Sequence, residues 1–301
     1  MSERIAHTEY GPPDGRNYEA HWHDGHFELF LASDVGLKRK NNEDSCIFTA
    51  PEEREEAEQW GNLIAVADGM GGALAGEHAS RLALHILVDT FYDKKDALVP
   101  QALRFAVEEA NARIFNEAQQ NPEYSGMGTT LSCVVLRGDW IYAAQVGDSR
   151  IYLARGGTLH QISRDHSVVA EQVRNGMITE EEARTHPLSN LITRAVGIKE
   201  EVQVDTFAFQ ARQGDTVLLC SDGLSGMVPD MHIGPLMANS GLNEAAHGLI
   251  EKALQGGGSD NVTVALLRLT APPPPRDLHE GAEIFHPPSA GWFERLMNWI
   301  S

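Results

Sequence analysis

Acidic residues recur in this sequence beside short apolar runs that predict buried strands. The acids that share this position are Glu43, Asp44, Asp68, Asp148, Asp222 and Asp260. Asp68, for example, directly follows the apolar run 63–67, which is typical of a buried strand. Carboxylates gathered in one place repel one another, whereas Mg²⁺ and Mn²⁺ favour such oxygen ligands. The pattern therefore indicates a divalent metal site, provided that these strand ends meet in space.

The alternative is that the same acids only form turns, because Asp-Gly is a common turn dipeptide. Of the Asp-Gly pairs, those that begin at Asp68 and Asp222 follow an apolar strand. Those that begin at Asp14 and Asp24 have no such strand ahead of them and are interpreted as turns. Spacing alone leaves open whether acids from separate strands converge.

The segments between these acids indicate the elements that must position them. Apolar residues at helical spacing predict helices over 78–92, from Pro100 to 118, over 231–238 and over 244–254. β-rich runs predict strands over 63–67, 129–136, 140–146, 150–153, 204–209, 216–220 and 262–269. A capping-box pattern at Thr179–Glu182 predicts a further short helix. Hairpins of strands combined with paired helices favour a layered α+β fold, with helices packed over antiparallel sheets.

The chain divides into a central body and two terminal segments. Residues 1–26 are predicted to be an N-terminal tail, in which His21, His23 and His26 are interpreted as solvated rather than zinc-binding. Residues 27–270 form the predicted domain. Residues 271–301 combine a proline-rich linker with a short amphipathic helix near the C-terminus, which is expected to pack on the body rather than anchor a membrane.

Composition excludes several classes of partner. The net charge of −19 over 301 residues disfavours nucleic acids and anionic lipid surfaces. No apolar run approaches the roughly 20 residues that a bilayer span needs, and residues 1–27 lack an apolar signal-peptide core. The cysteines, Cys46, Cys133 and Cys220, are too few for a disulfide framework. A cytoplasmic protein in a reducing compartment is expected.

Six segments follow one another in an order that resembles the motifs of the metal-dependent serine/threonine protein phosphatases of type 2C, in their bacterial form. They are residues 33–45, 66–72, 128–130, 146–150, 221–224 and 259–263, and the resemblance spans 29–269. It implies a four-layer αββα sandwich of two antiparallel sheets flanked by helices, with a flap segment. It also implies hydrolysis of phosphoserine and phosphothreonine in proteins by a metal-activated water, without a phosphoenzyme. The implied partners are phosphorylated proteins, substrates of a serine/threonine protein kinase.

The resemblance also implies which residues hold two Mg²⁺ or Mn²⁺ ions. Asp68 would bridge both ions, and the carbonyl of Gly69 would bind one of them. Asp222 and Asp260 would hold one ion. Asp148, together with Asp222, would form a third and weaker site.

The remaining implied roles concern the phosphate and the water. Glu43 would hold the second ion, largely through water. Arg39 would bind the substrate phosphate, and Asp44 would orient the water. Asn261 would support the loop beside Asp260. Met70 departs from the family pattern, because some members carry there a histidine proposed as the general acid, so the proton donor is left unassigned.

The motifs of other enzyme classes are absent from the sequence. No cysteine begins the Cys-x5-Arg motif of a cysteine phosphatase, and no Walker-type phosphate loop occurs. A non-catalytic phosphoprotein-binding or scaffolding module would have lost a metal carboxylate, and none is lost. A regulator that recruits a partner through its C-terminal helix stays open. Residues 166–187 are either a flap that influences substrate choice or an ordinary surface helix.

Overall fold

The computed structural model describes residues 5–51, 54–94, 97–275 and 283–285. Its strands are β1 (Ile5–Gly11), β2 (Tyr18–His23), β3 (Phe27–Asp34), β4 (Asp44–Pro51), β5 (Asn62–Met70), β6 (Gly128–Thr129), β7 (Leu131–Arg137), β8 (Trp140–Val146), β9 (Arg150–Arg155), β10 (Thr158–Gln161), β11 (Asp205–Gln210), β12 (Thr216–Cys220), β13 (Val262–Leu269) and β14 (Glu283–Ile284). Its helices are α1 (Arg54–Trp60), α2 (Ala73–Asp93), α3 (Val99–Gln120), α4 (Val168–Arg174), α5 (Glu180–Arg184), α6 (Asp222–Ser225), α7 (Asp230–Asn239) and α8 (Leu242–Gln255), with a 3-10 turn at Pro122–Tyr124. The predicted C-terminal helix lies outside the described residues.

The strands form two sheets. The first sheet has eight strands in the order β1-β4-β5-β7-β8-β11-β14, with β6 paired to β5. The second has six strands in the order β10-β9-β12-β13-β3-β2. Neighbouring strands are antiparallel, except that β14 pairs with β11 in parallel.

The pleat of β5 shows how the layers are held together, because successive side chains of a strand point to opposite faces. Leu63, Ala65 and Ala67 pack into an apolar core with α2 and α3. Ile64 and Val66 pack into a second core between the two sheets. A third core joins the second sheet to α7 and α8. The predicted four-layer αββα sandwich is confirmed.

The prediction of an N-terminal tail is wrong for the residues that the structure describes. β1 pairs with β4 at the edge of the first sheet, and β2 pairs with β3 at the edge of the second. In β2 the side chains alternate between half-buried and exposed, and Trp22 lies 5.0 Å from the Phe48 ring in the inter-sheet core. This period-2 alternation is the signal of a half-buried strand, whereas the nearby prolines at 12–13 favour an irregular tail.

Several local predictions hold in the structure. The predicted strands 216–220 and 262–269 coincide with β12 and β13. The capping box is present, with Thr179 Oγ1 accepting from the Glu182 amide at 3.2 Å and the Glu182 carboxylate accepting from the Thr179 amide at 2.8 Å. His21 and His23 lie on the exposed face of β2. Among the described helices, none has the length and apolarity that a membrane crossing requires.

Candidate metal and phosphate site

Strand ends from both sheets meet at one edge of the sandwich, where the predicted acids lie together. Asp44 and Asp68 are cross-strand neighbours at the paired ends of β4 and β5. Asp222 follows β12 in the other sheet, and its charge is close enough to Asp68 to raise the pKa of that carboxyl. Ser221 Oγ donates to Asp44 Oδ2 at 2.7 Å. The structure thus joins acids that are far apart in the sequence, as the metal-site prediction requires.

Asp148 and Asp260 add carboxylates from two further strand ends. Asp148 follows β8 in the first sheet, and its charge repels that of Asp222. Asp260 precedes β13 in the second sheet, and its charge repels those of Asp68 and Asp222. These side chains are only half-buried, so they line a recess that remains open to solvent.

The ionised forms of the clustered carboxyl groups are unfavourable in this recess. Burial raises the pKa of Asp68, Asp148 and Asp222, and repulsion from the other carboxylates raises each further. Burial also raises the pKa of Asp44 to about 7, although hydrogen bonds with Ser221 and Thr263 oppose the shift. A divalent cation would relieve this repulsion, and a donor set made of oxygen atoms fits Mg²⁺ or Mn²⁺.

The acidic side chains line the recess but do not surround a common centre. Within the described part of the chain, no group of three or more His, Cys, Asp or Glu side chains forms a cage that could hold a metal ion unaided. Mg²⁺ in proteins usually keeps several waters among its ligands.

Arg39 reaches into this recess from the loop before β4. Its Nη2 lies 2.8 Å from Asp260 Oδ2, and its Nη1 lies 3.8 Å from Glu43 Oε1. Burial alone would lower the pKa of Arg39, but the neighbouring carboxylates outweigh it and raise the pKa. The side chain is 46% exposed, so the guanidinium can also meet a phosphate from solution.

Glu43 is held where the first turn of α2 approaches the end of β5. The Gly69 amide donates to the Glu43 carbonyl oxygen at 3.2 Å. A Cβ on Gly76 would lie 2.0 Å from Glu43 Oε2, and a Cβ on Gly69 would lie 2.1 Å from the Gly76 carbonyl oxygen. Only glycine at both positions allows this approach. The sequence pattern does not identify Gly76 as a site residue, because a glycine inside a helix is expected only to lower the stability of the helix.

Asn261 holds the loop that carries Arg39 and Glu43. Its Oδ1 accepts from the Glu43 amide at 2.9 Å. Its Nδ2 donates to the carbonyl oxygens of Val35 and Asn41 at 2.9 and 3.0 Å. One side chain therefore bonds to the loop at three points, in agreement with the predicted supporting role.

The comparison with known families agrees with this arrangement. A family model described as "Protein phosphatase 2C" matches residues 40–250. The chain belongs to the protein phosphatase 2C family. The family dephosphorylates serine and threonine in proteins, so this chain is a protein phosphatase of the metal-dependent hydrolase class that uses Mg²⁺ or Mn²⁺.

Individual relatives give the same assignment. The chain is 38% identical over 240 residues to "Serine/threonine phosphatase stp" of Listeria welshimeri, covering 78% of this chain and 93% of that protein. It is 42% identical over 234 residues to "Serine/threonine protein phosphatase PstP" of Mycobacterium tuberculosis, covering 78% of this chain and 43% of that longer protein. A solved structure of the catalytic domain of PstP in complex with two manganese ions superposes with a TM-score of 0.69 at 39% identity, covering 82% of this chain and 99% of that one.

The turn that carries Asp148 in this phosphatase is held by His166, which the sequence analysis did not single out as a site residue. His166 Nδ1 accepts from the Gly147 amide at 3.1 Å, and the His166 amide donates to the Gly147 carbonyl oxygen at 3.0 Å. The imidazole Nε2 faces Asp205 Oδ2 at 3.2 Å, which fixes the ring orientation. A hydrogen bond from His166, together with the hydrogen bond and charge of Arg194, lowers the pKa of Asp205 to about 2.

The predicted flap begins at this histidine and also contacts helices α6 and α7. Arg184 of α5 donates from Nη1 to the carbonyl oxygen of Ser225 at 3.2 Å, at the end of the helix that starts with Asp222. Its Nη2 lies 3.8 Å from Asp230 Oδ1. The segment therefore adjoins the loops of both Asp148 and Asp222.

Proposed function

We propose that this phosphatase hydrolyses phosphoserine and phosphothreonine by direct attack of water on phosphorus, without a phosphoenzyme. The observation that carries the proposal is the convergence of Asp44, Asp68, Asp222 and Asp260 beside the half-exposed guanidinium of Arg39. When bound, the divalent cations supply charge neutralisation and a water of lowered pKa. The chain's own residues bind the phosphate, position the water and hold the acids in place.

The acids divide into groups that would hold the ions. Asp68 would bind both ions, and the carbonyl of Gly69 would bind one of them. Asp222 and Asp260 would hold one of them, and Glu43 would hold the other, largely through water. Asp148 would join Asp222 at a third site. The support for this division is the order of the motifs and the mutual repulsion of Asp68, Asp222 and Asp260, whose carboxylates lie close together.

Two residues would act on the reacting groups. Arg39 would bind two phosphate oxygens with its planar fork and stabilise the charge that spreads over them in the transition state. Asp44 is fully buried and accepts a hydrogen bond from Ser221, so its carboxylate is fixed in direction and would orient the attacking water. Met70 carries no proton to donate, so the leaving oxygen takes its proton from another group.

The wider setting extends this proposal. We expect the substrates to be phosphoproteins produced by a serine/threonine protein kinase, which places the enzyme in a signalling pathway. We also expect the enzyme to work in the cytoplasm, because Cys46, Cys133 and Cys220 are buried free thiols. Burial raises the pKa of Cys133 to about 12, so this thiol stays protonated and unreactive.

The test is hydrolysis of a phosphothreonine peptide by the purified chain. We expect release of inorganic phosphate with Mn²⁺ and no release after chelation, with activity restored by excess Mn²⁺. Protein quenched in acid during turnover of a labelled peptide should carry no phosphate. Turnover in the presence of chelator would contradict the metal mechanism, and peptide binding without phosphate release in any metal would identify a binding module instead.

Arg39 offers a separate test of phosphate binding. We expect Arg39→Lys to raise the KM for the phosphopeptide about tenfold, and Arg39→Ala to raise it more, because lysine keeps the charge but loses the planar fork. Steady-state kinetics at saturating Mn²⁺ measures the effect. Lys38→Ala, on the same exposed loop, is the control and should leave KM within about twofold, as expected for a substitution at the surface. An unchanged KM for Arg39→Ala would contradict the assigned role.

A further inference from the structure

The N-terminal segment crosses the sandwich at the edge where the acids lie. The loop 12–17 joins β1, at the edge of the first sheet, to β2, at the edge of the second. It contacts the loop 34–43, which contains Arg39 and ends at Glu43. Residues 12–17 precede the part of the chain that the family model matches, which begins at residue 40. We call 12–17 the N-terminal brace and 34–43 the arginine loop.

The brace bonds to the beginning of the arginine loop through Asn17. The side-chain Oδ1 of Asn17 accepts from the Val35 amide at 2.9 Å. Its Nδ2 donates to Asp34 Oδ2 at 2.7 Å. The other carboxylate oxygen of Asp34 accepts from the Gly36 amide at 2.7 Å. Asn17 thus fixes the direction in which the loop leaves β3.

The brace bonds to the end of the arginine loop through Asn42. The Asn42 amide donates to the Gly15 carbonyl oxygen at 2.9 Å, and Asn42 Nδ2 donates to the Arg16 carbonyl oxygen at 3.1 Å. Asn42 is completely buried, so its polar groups need these partners. The next residue along the chain is Glu43. The brace therefore sets the position from which the Glu43 side chain enters the recess.

The brace also rests on helix α2, beside the glycine that accommodates Glu43. Arg81 Nη2 donates to the carbonyl oxygen of Pro12 and forms an ion pair with Glu77 at 3.5 Å. Gly15 adopts a left-handed conformation, with φ of 67°, and a Cβ there would lie 3.1 Å from Glu77 Oε2. The conformation of Gly15 is thus constrained on the side facing α2.

We propose that the N-terminal brace is a positioning element, which holds the arginine loop from outside while Asn261 holds it from inside. This proposal rests on the proposed roles of Arg39 and Glu43. Without the brace, the loop keeps its three hydrogen bonds to Asn261 but loses those that residues 34, 35 and 42 make with the brace. Arg39 then samples orientations in which its fork no longer faces the phosphate, and small misplacements of this kind are costly in turnover.

Gly15→Ala tests the proposal against the matched variant Gly25→Ala. Both glycines belong to Asp-Gly turns of the same segment and have positive φ, 67° and 88°, but Gly25 has no other group within 4 Å of a Cβ and does not touch the arginine loop. We expect Gly15→Ala to lower kcat/KM about tenfold and to speed hydrogen–deuterium exchange over 34–43. Gly25→Ala should change neither quantity. Equal exchange and equal turnover in the two variants would overturn the proposal.

Asn17→Asp provides a second test on the surface of the molecule, where folding is tolerant of substitution. A carboxylate at position 17 would oppose Asp34 Oδ2 and push the loop away. Adding Asp34→Asn restores a donor–acceptor pair at the same place with the roles exchanged. We expect the single variant to lose turnover, to exchange faster over 34–43 and to bind Mn²⁺ more weakly by calorimetry, and the double variant to recover all three.

These measurements distinguish the brace from the site that it serves. Hydrogen–deuterium exchange over 34–43 measures how firmly the loop is held, even if the roles of Arg39 and Glu43 are assigned wrongly. The proposed function fails if the unaltered chain shows no metal-dependent hydrolysis, whatever the loop does. The proposal of a brace fails if Asn17→Asp matches the unaltered chain in turnover, exchange and Mn²⁺ binding, or if the double variant recovers none of these relative to Asn17→Asp alone.

Discussion

Asp222→Asn is expected to abolish turnover while making the metal-free protein more stable. The substitution removes one carboxylate from a group that repels itself, so the folded chain loses an unfavourable charge. At saturating Mn²⁺ we expect kcat to fall about 10³-fold, because an amide does not neutralise a cation as a carboxylate does. Without metal, we expect the melting temperature to rise by roughly 2–4 °C, equivalent to about 1 kcal/mol.

The sign of the stability effect follows from the raised pKa. A carboxyl whose pKa is higher in the folded state than in the unfolded state stabilises the fold while both states are protonated. That contribution is lost as the pH rises above the unfolded value of 3.8 towards the raised folded value. The stability gap between Asp222→Asn and the unaltered metal-free chain should therefore widen as the pH increases from 4 upwards, as measured by thermal melts.

Asp215→Asn is the matched control, because Asp215 and Asp222 flank opposite ends of the same strand, β12. Asp215 is 2% exposed and pairs with Arg155 at 2.6 Å, away from the acids. Breaking this buried pair should cost about 3 kcal/mol of unfolding free energy and leave kcat unchanged below the melting temperature. If Asp222→Asn destabilised the metal-free chain as Asp215→Asn does, the repulsion between the acids would be refuted.

The acids could be identified from the sequence because each follows or precedes a strand with a clear apolar pattern. Asp68 after 63–67 and Asp222 after 216–220 are examples, and both strands are present. Their convergence could not be derived from spacing, since it depends on the pairing of strands that are distant in the sequence, as the contact between Ser33 and Thr263, 230 residues apart, shows. The ordered motifs supplied that information through the family resemblance.

Other features of the site are not predicted by the local sequence pattern of any single segment. His166 supports the Asp148 turn through a hydrogen bond across 19 residues, and nothing in the local pattern distinguishes it from a surface histidine. The alternation over 18–23 does indicate a strand in the N-terminal segment, but the two prolines and two Asp-Gly pairs of the same segment predict irregular structure. The error matters, because a chain trimmed to 27–270 would lack the brace.

Gly76→Ala is expected to keep the fold and to impair catalysis severely. Alanine favours a helix interior over glycine by about 1 kcal/mol, so α2 itself should tolerate the change. The new methyl group would lie 2.0 Å from Glu43 Oε2 and 3.0 Å from the Gly69 carbonyl carbon, so the Glu43 carboxylate must move. We expect kcat to fall about 10²-fold, with weaker binding of Mn²⁺ by calorimetry and little change in the melting temperature.

Gly248→Ala is the matched control for this substitution, since it also adds a methyl group inside a long helix, α8. Its Cβ would meet only the side chain of Leu236, at 3.1 Å, and that flexible group can shift. We expect Gly248→Ala to retain full turnover and Mn²⁺ affinity. The contact with the Glu43 carboxylate is then the difference between the two glycine positions. If Gly76→Ala turned over phosphopeptide as fast as Gly248→Ala, the position of the Glu43 carboxylate against α2 would have no bearing on catalysis.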